Sequence, residues 1–169
     1  MERSRTVTWE DPVAAAEAAA KMSGLEALEA IRDGRLPPPP IAKLLGLEPL
    51  ALGHGRAVFA ATPDESHYNP IGAVHGGLAA TLLDSAMGCA VQSTLPVGFG
   101  YTTLELKVNF VRPITRDTGP VHCEGRVVHG GKTVATAEGR VVAEETGKLL
   151  AHGTATCLVF STNGHSAST

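Results

Sequence analysis

The 169-residue sequence predicts an α+β domain in which an antiparallel sheet packs against one long, buried helix. The helix is indicated by residues 78–91, which are nearly all apolar or small, with no proline before Pro96. The sheet is indicated by residues 103–110, where apolar and polar side chains alternate, and by further strand-like runs joined by turns that contain glycine. Short strands therefore precede the helix, and an antiparallel meander follows it.

Two helices are predicted at the N-terminus. Residues 13–22 are rich in alanine and follow an Asp-Pro pair, which favours a helix start. Ser23 and Glu26 have the spacing of a capping box for a second helix that runs to Ile31. The apolar positions of this second helix recur every third residue, at Leu25, Leu28 and Ile31. We expect this face to pack on the domain or on a partner.

The proline run 37–40 predicts a stiff linker. Residues 1–40 are therefore interpreted as an N-terminal helical extension with its linker, and residues 41–161 as the main domain. A short helical turn is expected at 41–45. The tail 162–169 is small and polar, so it is predicted to be disordered.

The remaining strands are placed by turn residues. Residues 53–61 read as strands joined by a Gly-His-Gly turn, and the alternating strand that begins at Thr103 is ended by Pro113. Glycine-containing turns at 129–132 and 145–148 separate the last three predicted strands, which are 121–128, 133–143 and 149–160.

Composition excludes several classes of protein. A net charge of −3 and the lack of a basic cluster argue against binding to nucleic acid or to an anionic membrane. No signal peptide or bilayer-spanning segment is recognised in the sequence. The three cysteines form no C-x-x-C pair, which fits reduced thiols in the cytoplasm and gives no indication of a metal site.

Three common functional signatures are incomplete or missing in this sequence. The run Gly-Lys-Thr at 131–133 resembles the end of a phosphate-binding loop, but Arg126 stands where the first glycine is required. No G-x-S-x-G element is present, which disfavours a serine hydrolase. The His and Cys residues at 122–123, and His152 with Cys157, lack the spacing of zinc ligands.

The start of the long helix combines with one carboxylate to suggest chemistry. Gly76 and Gly77 open the helix, where unpaired N–H groups and the peptide dipoles favour an oxyanion. Asp84 is the one acidic side chain in the apolar run. Its neighbours on a helical wheel would let another backbone or helix come close: Gly77, Ala80, Thr81, Gly88 and Val91. A carboxylate in a crowded setting needs hydrogen-bond partners and is often a general base. The alternative is a solvated aspartate, or one that only pairs with a cation.

Helix geometry adds a constraint on how these residues could cooperate. At 1.5 Å per residue, Gly76 and Asp84 are separated by roughly 12 Å along one helix. An oxyanion donor and a base that serve one carbon must both lie within about 3–4 Å of it. If both serve one reaction, Asp84 must come from a second subunit whose helix runs antiparallel, which gives two equivalent sites about a two-fold axis.

The motif Asn69-x-x-Gly72-x-x-His75-Gly76-Gly77, with Asp84 nine positions after the histidine, resembles the signature of hotdog-fold acyl-CoA thioesterases of the PaaI-like, phenylacetate-pathway type. Residues 101–113 are similar to the strand that follows the helix in that family. The resemblance covers about residues 44–160.

The resemblance implies a hotdog fold, with an antiparallel sheet wrapped around the central helix, and a site between subunits. In that site Asp84 would be general base or nucleophile, and Gly76 would supply an oxyanion N–H. Asn69 would orient the water or the thioester, His75 would hold the glycine turn and approach the carbonyl, and Thr103 would assist the carboxylate or the water.

The implied substrate is an acyl-CoA, so that coenzyme A is part of the substrate and no separate cofactor is expected. Its contacts are predicted at Gly77, Arg112, Arg116 and Lys132, with Lys148 as a further candidate. With 4% aromatic residues, the acyl pocket is expected to be lined mainly by Leu, Val, Ile and Met. The implied assembly is a homotetramer, with the homodimer as its minimal unit. Two other functions stay open, an acyl-thioester dehydratase or hydratase and a non-catalytic acyl-CoA-binding module.

Overall fold

The computed structural model describes residues 2–162, which form four α-helices, two short 3₁₀ helices and six strands. The α-helices are α1 (Pro12–Ala19), α2 (Gly24–Arg32), α3 (Pro40–Leu45) and α4 (Gly76–Gln92). The strands are β1 (Glu48–Gly53), β2 (Arg56–Ala61), β3 (Phe99–Phe110), β4 (Val121–Gly130), β5 (Val134–Ala143) and β6 (Leu149–Ser161). Of the predicted disordered tail only Thr162 lies within the described residues, and its N–H donates to the Gly98 carbonyl at 2.8 Å.

The six strands form one antiparallel sheet in the order β1-β2-β4-β5-β6-β3. Strands β4, β5 and β6 make the predicted meander. Strand β3 lies outside it, at the far edge of the sheet beside β6, whereas the sequence suggested a meander that continued directly from β3. Helix α4 separates β2 from β3 in the chain. Strand β2 pairs with β4, so the two strands before the helix extend the meander at its other edge.

Helix α4 begins at Gly76, as predicted, and the sheet wraps around it. It contacts β2, β3, β4, β5 and β6. Its buried side chains form the centre of the core: Leu78, Ala79, Leu82, Leu83, Ala86, Met87, Ala90 and Val91. At about 25 cal/mol per Å² of apolar surface, this burial drives the sheet to curve over the helix.

A row of glycines brings α4 close to the sheet. Gly125, Gly139 and Gly153 lie opposite one another on β4, β5 and β6. A Cβ on Gly125 would collide with the Ala86 carbonyl, and one on Gly139 would meet Leu83 Cδ2 at 3.0 Å. The helix can therefore approach the three central strands because they present backbone there instead of side chains.

Strand β3 carries a β-bulge between Thr103 and Glu105. The bulge shifts the alternation of side chains by one residue, so Leu104 is 61% exposed although the sequence placed it on a buried face. Leu106 and Val108 do pack against the core, as predicted. The predicted buried face was therefore wrong at Leu104 and also at Phe110, which is 60% exposed at the end of the strand.

The N-terminal helices differ in detail from their predictions. Helix α1 ends at Ala19 and is shorter than predicted, while α2 has the predicted capping box of Ser23 and Glu26. Helix α3 begins at Pro40, which is therefore its first residue and not part of the linker.

The face of α2 that is fully buried is its small-residue face, Gly24, Ala27 and Ala30. Gly24 lies so close to α4 that a Cβ would collide with the Gln92 carbonyl. The predicted apolar face is only half-buried, because Leu25, Leu28 and Ile31 lie to one side of this close contact.

Candidate functional site

Asp84 lies near the middle of α4, half-buried, and is hydrogen-bonded to β3. The Thr103 hydroxyl donates to Asp84 Oδ1 at 2.8 Å. Within residues 2–162, Oδ2 accepts no hydrogen bond and no Lys, Arg or His nitrogen lies within 4.0 Å of the carboxylate. The carboxylate is thus positioned by a neutral donor and keeps one oxygen free to take a proton.

Asp84 lines a cavity of about 230 Å³ on the side of α4 that faces the N-terminal helices. Ser85, Cys89 and Tyr101 line it with Asp84. The rest of its wall is apolar and consists of Leu28, Ile31, Pro38, Pro39, Ile41, Ala42, Leu47, Pro49 and Phe59.

Two ionisable neighbours of Asp84 stay neutral in this cavity. Burial, reinforced by the nearby Asp84 carboxylate, raises the pKa of the Cys89 thiol to about 12. Burial also raises the pKa of the Tyr101 hydroxyl, and the neighbouring Cys89 and Asp84 act in the same direction. At neutral pH Asp84 is therefore the group in the cavity that can accept a proton, and Cys89 is not an activated nucleophile.

Tyr101 fills the space beside Gly88, which is one of the small residues that surround Asp84 on the helical wheel. The hydroxyl of Tyr101 lies where a Cβ on Gly88 would be. The sequence suggested that another backbone or helix would use this space, whereas at Gly88 it is filled by the chain's own β3. Gly77, Ala80 and Thr81, nearer the start of α4, remain partly exposed.

The start of α4 provides the second half of the candidate site. His75 is the N-cap residue, and its Nδ1 accepts from the Gly77 N–H at 2.9 Å. The Gly77 N–H is thereby occupied, while the Gly76 N–H has no acceptor in the described part of the chain. A helix N-terminus with one free N–H suits a negatively charged oxygen.

Asn69 lies beside this helix start. Its Oδ1 accepts from the N–H groups of Ile71 and Ala73, at 3.1 and 3.3 Å, and so holds the turn before the helix. This arrangement leaves the Asn69 Nδ2 as a donor without a partner among residues 2–162.

Asn69, His75 and Gly76 line a second cavity of about 490 Å³. The ring of Phe110 closes over Gly76, where a Cβ would meet Phe110 Cε1 at 3.0 Å. Phe110 is 60% exposed, although the alternation over residues 103–110 placed it on the buried face of the strand, and the sequence did not predict its contact with Gly76. No pattern signal marks it, because its contact with Gly76 depends on the path of β3 across the sheet.

The five predicted catalytic residues therefore fall into two groups. Asp84 lines one cavity and is hydrogen-bonded by Thr103, while Asn69, His75 and Gly76 line the other cavity. Eight residues of α4 separate the groups, roughly 12 Å at 1.5 Å per residue. One chain does not bring the two groups to a single carbon.

The predicted phosphate contacts are dispersed. Arg112 lines the cavity at Gly76 and donates to the Leu149 carbonyl at 2.6 Å, next to Lys148. Arg116 is exposed and pairs with Asp117 at 3.7 Å. Lys132 lies at the β4–β5 turn, near Thr94 and Leu95 at the other end of α4. Of these, Arg112 is the one that shares a cavity with the helix start.

No cluster of three His, Cys, Asp or Glu side chains suited to a metal ion is found in the range 2–162. Within the same part of the chain, no helix has the length and apolar character that crossing a bilayer requires.

Comparison with known proteins gives the family. The model of the Thioesterase superfamily matches residues 71–150. A protein of Halobacterium salinarum named as an esterase is 45% identical over 73 residues, which cover 42% of this chain and 46% of that protein. The crystal structure of a phenylacetic acid degradation-related protein of Ralstonia eutropha is 30% identical with a TM-score of 0.70, and the match covers 77% of this chain and 97% of that one.

The chain belongs to the thioesterase superfamily.

A human relative extends this result. Acyl-coenzyme A thioesterase 13 is 30% identical over 99 residues, which cover 59% of this thioesterase-family chain and 69% of the human protein. The predicted hotdog fold and the resemblance to PaaI-like thioesterases are thus confirmed, and membership of the family agrees with the predicted class of enzyme, a thioester hydrolase. The chain spans about half the length of the Halobacterium relative.

Proposed function

We propose that this protein is an acyl-CoA thioesterase, which hydrolyses the thioester to a free acid and coenzyme A at a site shared by two subunits. One observation carries the proposal. A carboxylate with a free oxygen and a helix N-terminus with a free N–H each line a cavity, at positions of α4 too far apart to serve one carbon within a chain. The family relatives named as thioesterases support the choice of reaction.

The chemistry follows from the two half-sites. Asp84 either takes a proton from a water whose oxygen attacks the carbonyl carbon, or attacks that carbon itself, in which case loss of the thiolate leaves an anhydride that water hydrolyses in a second step. The Gly76 N–H and the α4 dipole stabilise the negative charge that forms on the carbonyl oxygen. The C–S bond then breaks and the coenzyme A thiolate leaves. A positioned base is worth about 10²–10⁴ in rate and an oxyanion donor about 10²–10³, so no cofactor is needed.

The second subunit is expected at the open edge of the sheet. Strand β3 is an edge strand, bonded only to β6 in the described sheet, and it exposes Leu104 and Phe110. An exposed edge with apolar side chains favours pairing with another strand. Two copies joined there about a two-fold axis would set their α4 helices antiparallel, with Gly76 of each near Asp84 of the other. The homodimer is the minimal unit of the proposal, and a homotetramer would be a pair of such dimers.

The acyl-CoA would enter from the side of Asn69 and Gly76. Arg112, with Lys148 nearby, offers positive charge for the coenzyme A phosphates on that side, and the Asn69 amide can donate to the thioester carbonyl. We propose the cytoplasm as the location, because all three thiols are free and suit a reducing compartment.

Replacement of Asp84 is the direct test of this function. We predict that Asp84→Asn and Asp84→Ala each lower kcat by at least ~10³, because both remove the proton acceptor. The measurement is thiol release from a panel of aliphatic and aromatic acyl-CoAs. Asp117→Asn is the matched control, since Asp117 is an exposed aspartate that lines neither cavity, and it should retain wild-type activity.

Near-wild-type turnover in both Asp84 variants would refute the assignment. The same panel separates the other two functions. Loss of the enoyl thioester absorbance without release of thiol would indicate a hydratase, and binding without any turnover would indicate a binding module.

A further inference from the structure

The N-terminal segment contributes a wall to the cavity beside Asp84. Leu28 and Ile31 from α2 and Pro38 and Pro39 from the turn before α3 face this space across from the carboxylate. These are residues that the sequence assigned to an extension outside the main domain. Their place in the structure gives that extension a role at the site.

The polar and apolar groups of the cavity are segregated. Asp84, Ser85, Cys89 and Tyr101 come from α4 and β3, whereas the N-terminal segment presents only aliphatic and proline carbon. Among the described residues that line the cavity, none is Lys, Arg or His. A ligand with a reactive polar end and an apolar body fits this arrangement, and a phosphate group does not.

The lining differs from the expectation of Leu, Val, Ile and Met. Three prolines contribute, and so do the rings of Phe59 and Tyr101, while no Val or Met lines the cavity. Proline and aromatic side chains have few rotamers, so they define a wall of fixed shape. The low aromatic content of the whole chain did not predict their concentration here.

The wall is held firmly in place. The Gly24 N–H donates to the Leu95 carbonyl at 3.0 Å, and Ala30 is fully buried against the domain. The Ala30 carbonyl accepts from the N–H groups of Arg35 and Leu36, at 2.8 and 3.0 Å, which fixes the turn into the proline run. Leu28 and Ile31 are therefore held facing the cavity by the rigid backbone of α2.

We propose that α2 and the Pro38–Pro39 turn form the acyl-binding wall, and that Leu28 and Ile31 set the length of the acyl group. This inference rests on the proposed thioesterase function. The cavity of about 230 Å³ holds about eight non-hydrogen atoms at roughly 30 Å³ each. The substrate class is thus a hydrophobic acyl group of medium size, either a straight chain of about eight carbons or one with a single ring.

The test compares acyl-CoAs of increasing length. For the wild type, kcat/KM should rise about fourfold per added methylene up to octanoyl-CoA, since each buried methylene adds hydrophobic free energy, and should fall for dodecanoyl-CoA. Ile31→Trp fills the cavity, so it should lower kcat/KM for octanoyl-CoA by about tenfold or more and leave acetyl-CoA nearly unchanged. Ile31→Ala and Leu28→Ala enlarge the cavity and should move the optimum to longer chains.

Leu25→Ala is the matched control, because Leu25 lies on the same helix and is half-buried but does not line the cavity. Its length profile should equal that of the wild type. Comparing octanoyl-CoA with phenylacetyl-CoA in the same series tells a straight chain from a ring. Circular dichroism checks that each variant is folded.

An unchanged length profile in folded Ile31 and Leu28 variants would overturn the inference and leave the thioesterase proposal intact. If the wild type releases no thiol from any acyl-CoA, the proposed function fails, and calorimetric titration with octanoyl-CoA then tests the wall alone. Weaker octanoyl-CoA binding by Ile31→Trp than by the wild type would support the acyl-binding wall. Equal binding by the two proteins, or no binding by the wild type, would overturn it.

Discussion

Asp84 is suited to accept a proton because of what surrounds it. Thr103 holds one oxygen, the other is free within residues 2–162, and the remaining polar groups of the cavity are neutral. Within the described residues, no Lys, Arg or His nitrogen lies within 4.0 Å of the carboxylate. The alternative of an aspartate that merely pairs with a cation therefore has no support.

Cys89 gives a prediction at the same scale. With its pKa raised to about 12, only about one part in 10⁴ of the thiol is ionised at pH 8, whereas an ordinary cysteine is about a quarter ionised. We predict that iodoacetamide labels Cys89 at least ~10³-fold more slowly in the native protein than in the protein unfolded in guanidinium chloride. The labelling rate should stay low until the pH rises well above 8, because the raised pKa keeps the thiol protonated.

Mass spectrometry of the labelled peptides measures these rates residue by residue. The pKa of Cys123 is likewise raised to about 12 by burial, so Cys123 serves as an internal reference. Rapid labelling of native Cys89 at pH 8 would contradict the raised pKa of this thiol and would make Cys89 a candidate nucleophile.

Candidate site residues could be selected from the sequence where the residue type is unusual for its place. Asp84 was recognisable as a lone acid in an apolar helix, and Gly76 as a helix start. Tyr101 and Phe110 were not, because they reach Gly88 and Gly76 through the fold and not through spacing in the sequence.

At the scale of elements, the close approach of α4 to the sheet depends on backbone without side chains. Gly125, Gly139 and Gly153 fall in one row across β4, β5 and β6. Such a row follows from strand register, which the alternation of side chains in single strands does not fix. It could not be predicted before the pairing was known.

We predict that Gly125→Ala lowers the free energy of unfolding by about 1–3 kcal/mol, because its Cβ would collide with the α4 backbone at Ala86, which cannot move alone. Urea denaturation measures the change. Gly53→Ala is the control, since Gly53 is also a strand glycine but a Cβ there would have no neighbour within 4 Å of the described chain. Its effect should stay within about 0.5 kcal/mol. Equal stability of Gly125→Ala and wild type would show that α4 does not pack this tightly.

Whether the other elements could be predicted also depends on whether they are determined by local sequence or by tertiary packing. The start of α4 at Gly76 and the capping box of α2 were predictable because their signals are local. The bulge at Leu104, the placement of β3 beside β6 and the buried small-residue face of α2 were not, because each depends on packing between distant segments.

At the scale of the whole molecule, Asp84 and Gly76 line different cavities and are too far apart along α4 to act on one carbon within a single chain. The separation of Gly76 from Asp84 could be predicted from helix geometry alone. The sequence could not predict that Asp84 and Gly76 line separate cavities. Nor could it predict that the N-terminal extension forms one side of the cavity at Asp84. Together these features support the proposal that assembly creates the complete site.

One substitution removes the oxyanion donor and keeps the helix start, although any Cβ at Gly76 meets the Phe110 ring at 3.0 Å and requires that ring to shift. Gly76 is the first residue of α4, where proline is accepted, and His75 before it has φ −61° and ψ 134°, the extended conformation that a residue before proline adopts. Gly76→Pro therefore deletes the N–H while the helix can still begin there. Gly76→Ala, which keeps the N–H, is its steric control.

Thioesterase activity of a mixture of Asp84→Asn and Gly76→Pro subunits tests the shared site most directly. Each variant alone should be nearly inactive. If every site takes its acid from one subunit and its oxyanion donor from the other, each mixed dimer has one intact site, and refolding equal amounts together should restore about a quarter of wild-type activity. Activity in the co-refolded mixture no higher than the mean of the two separate variants would contradict a site built across two subunits.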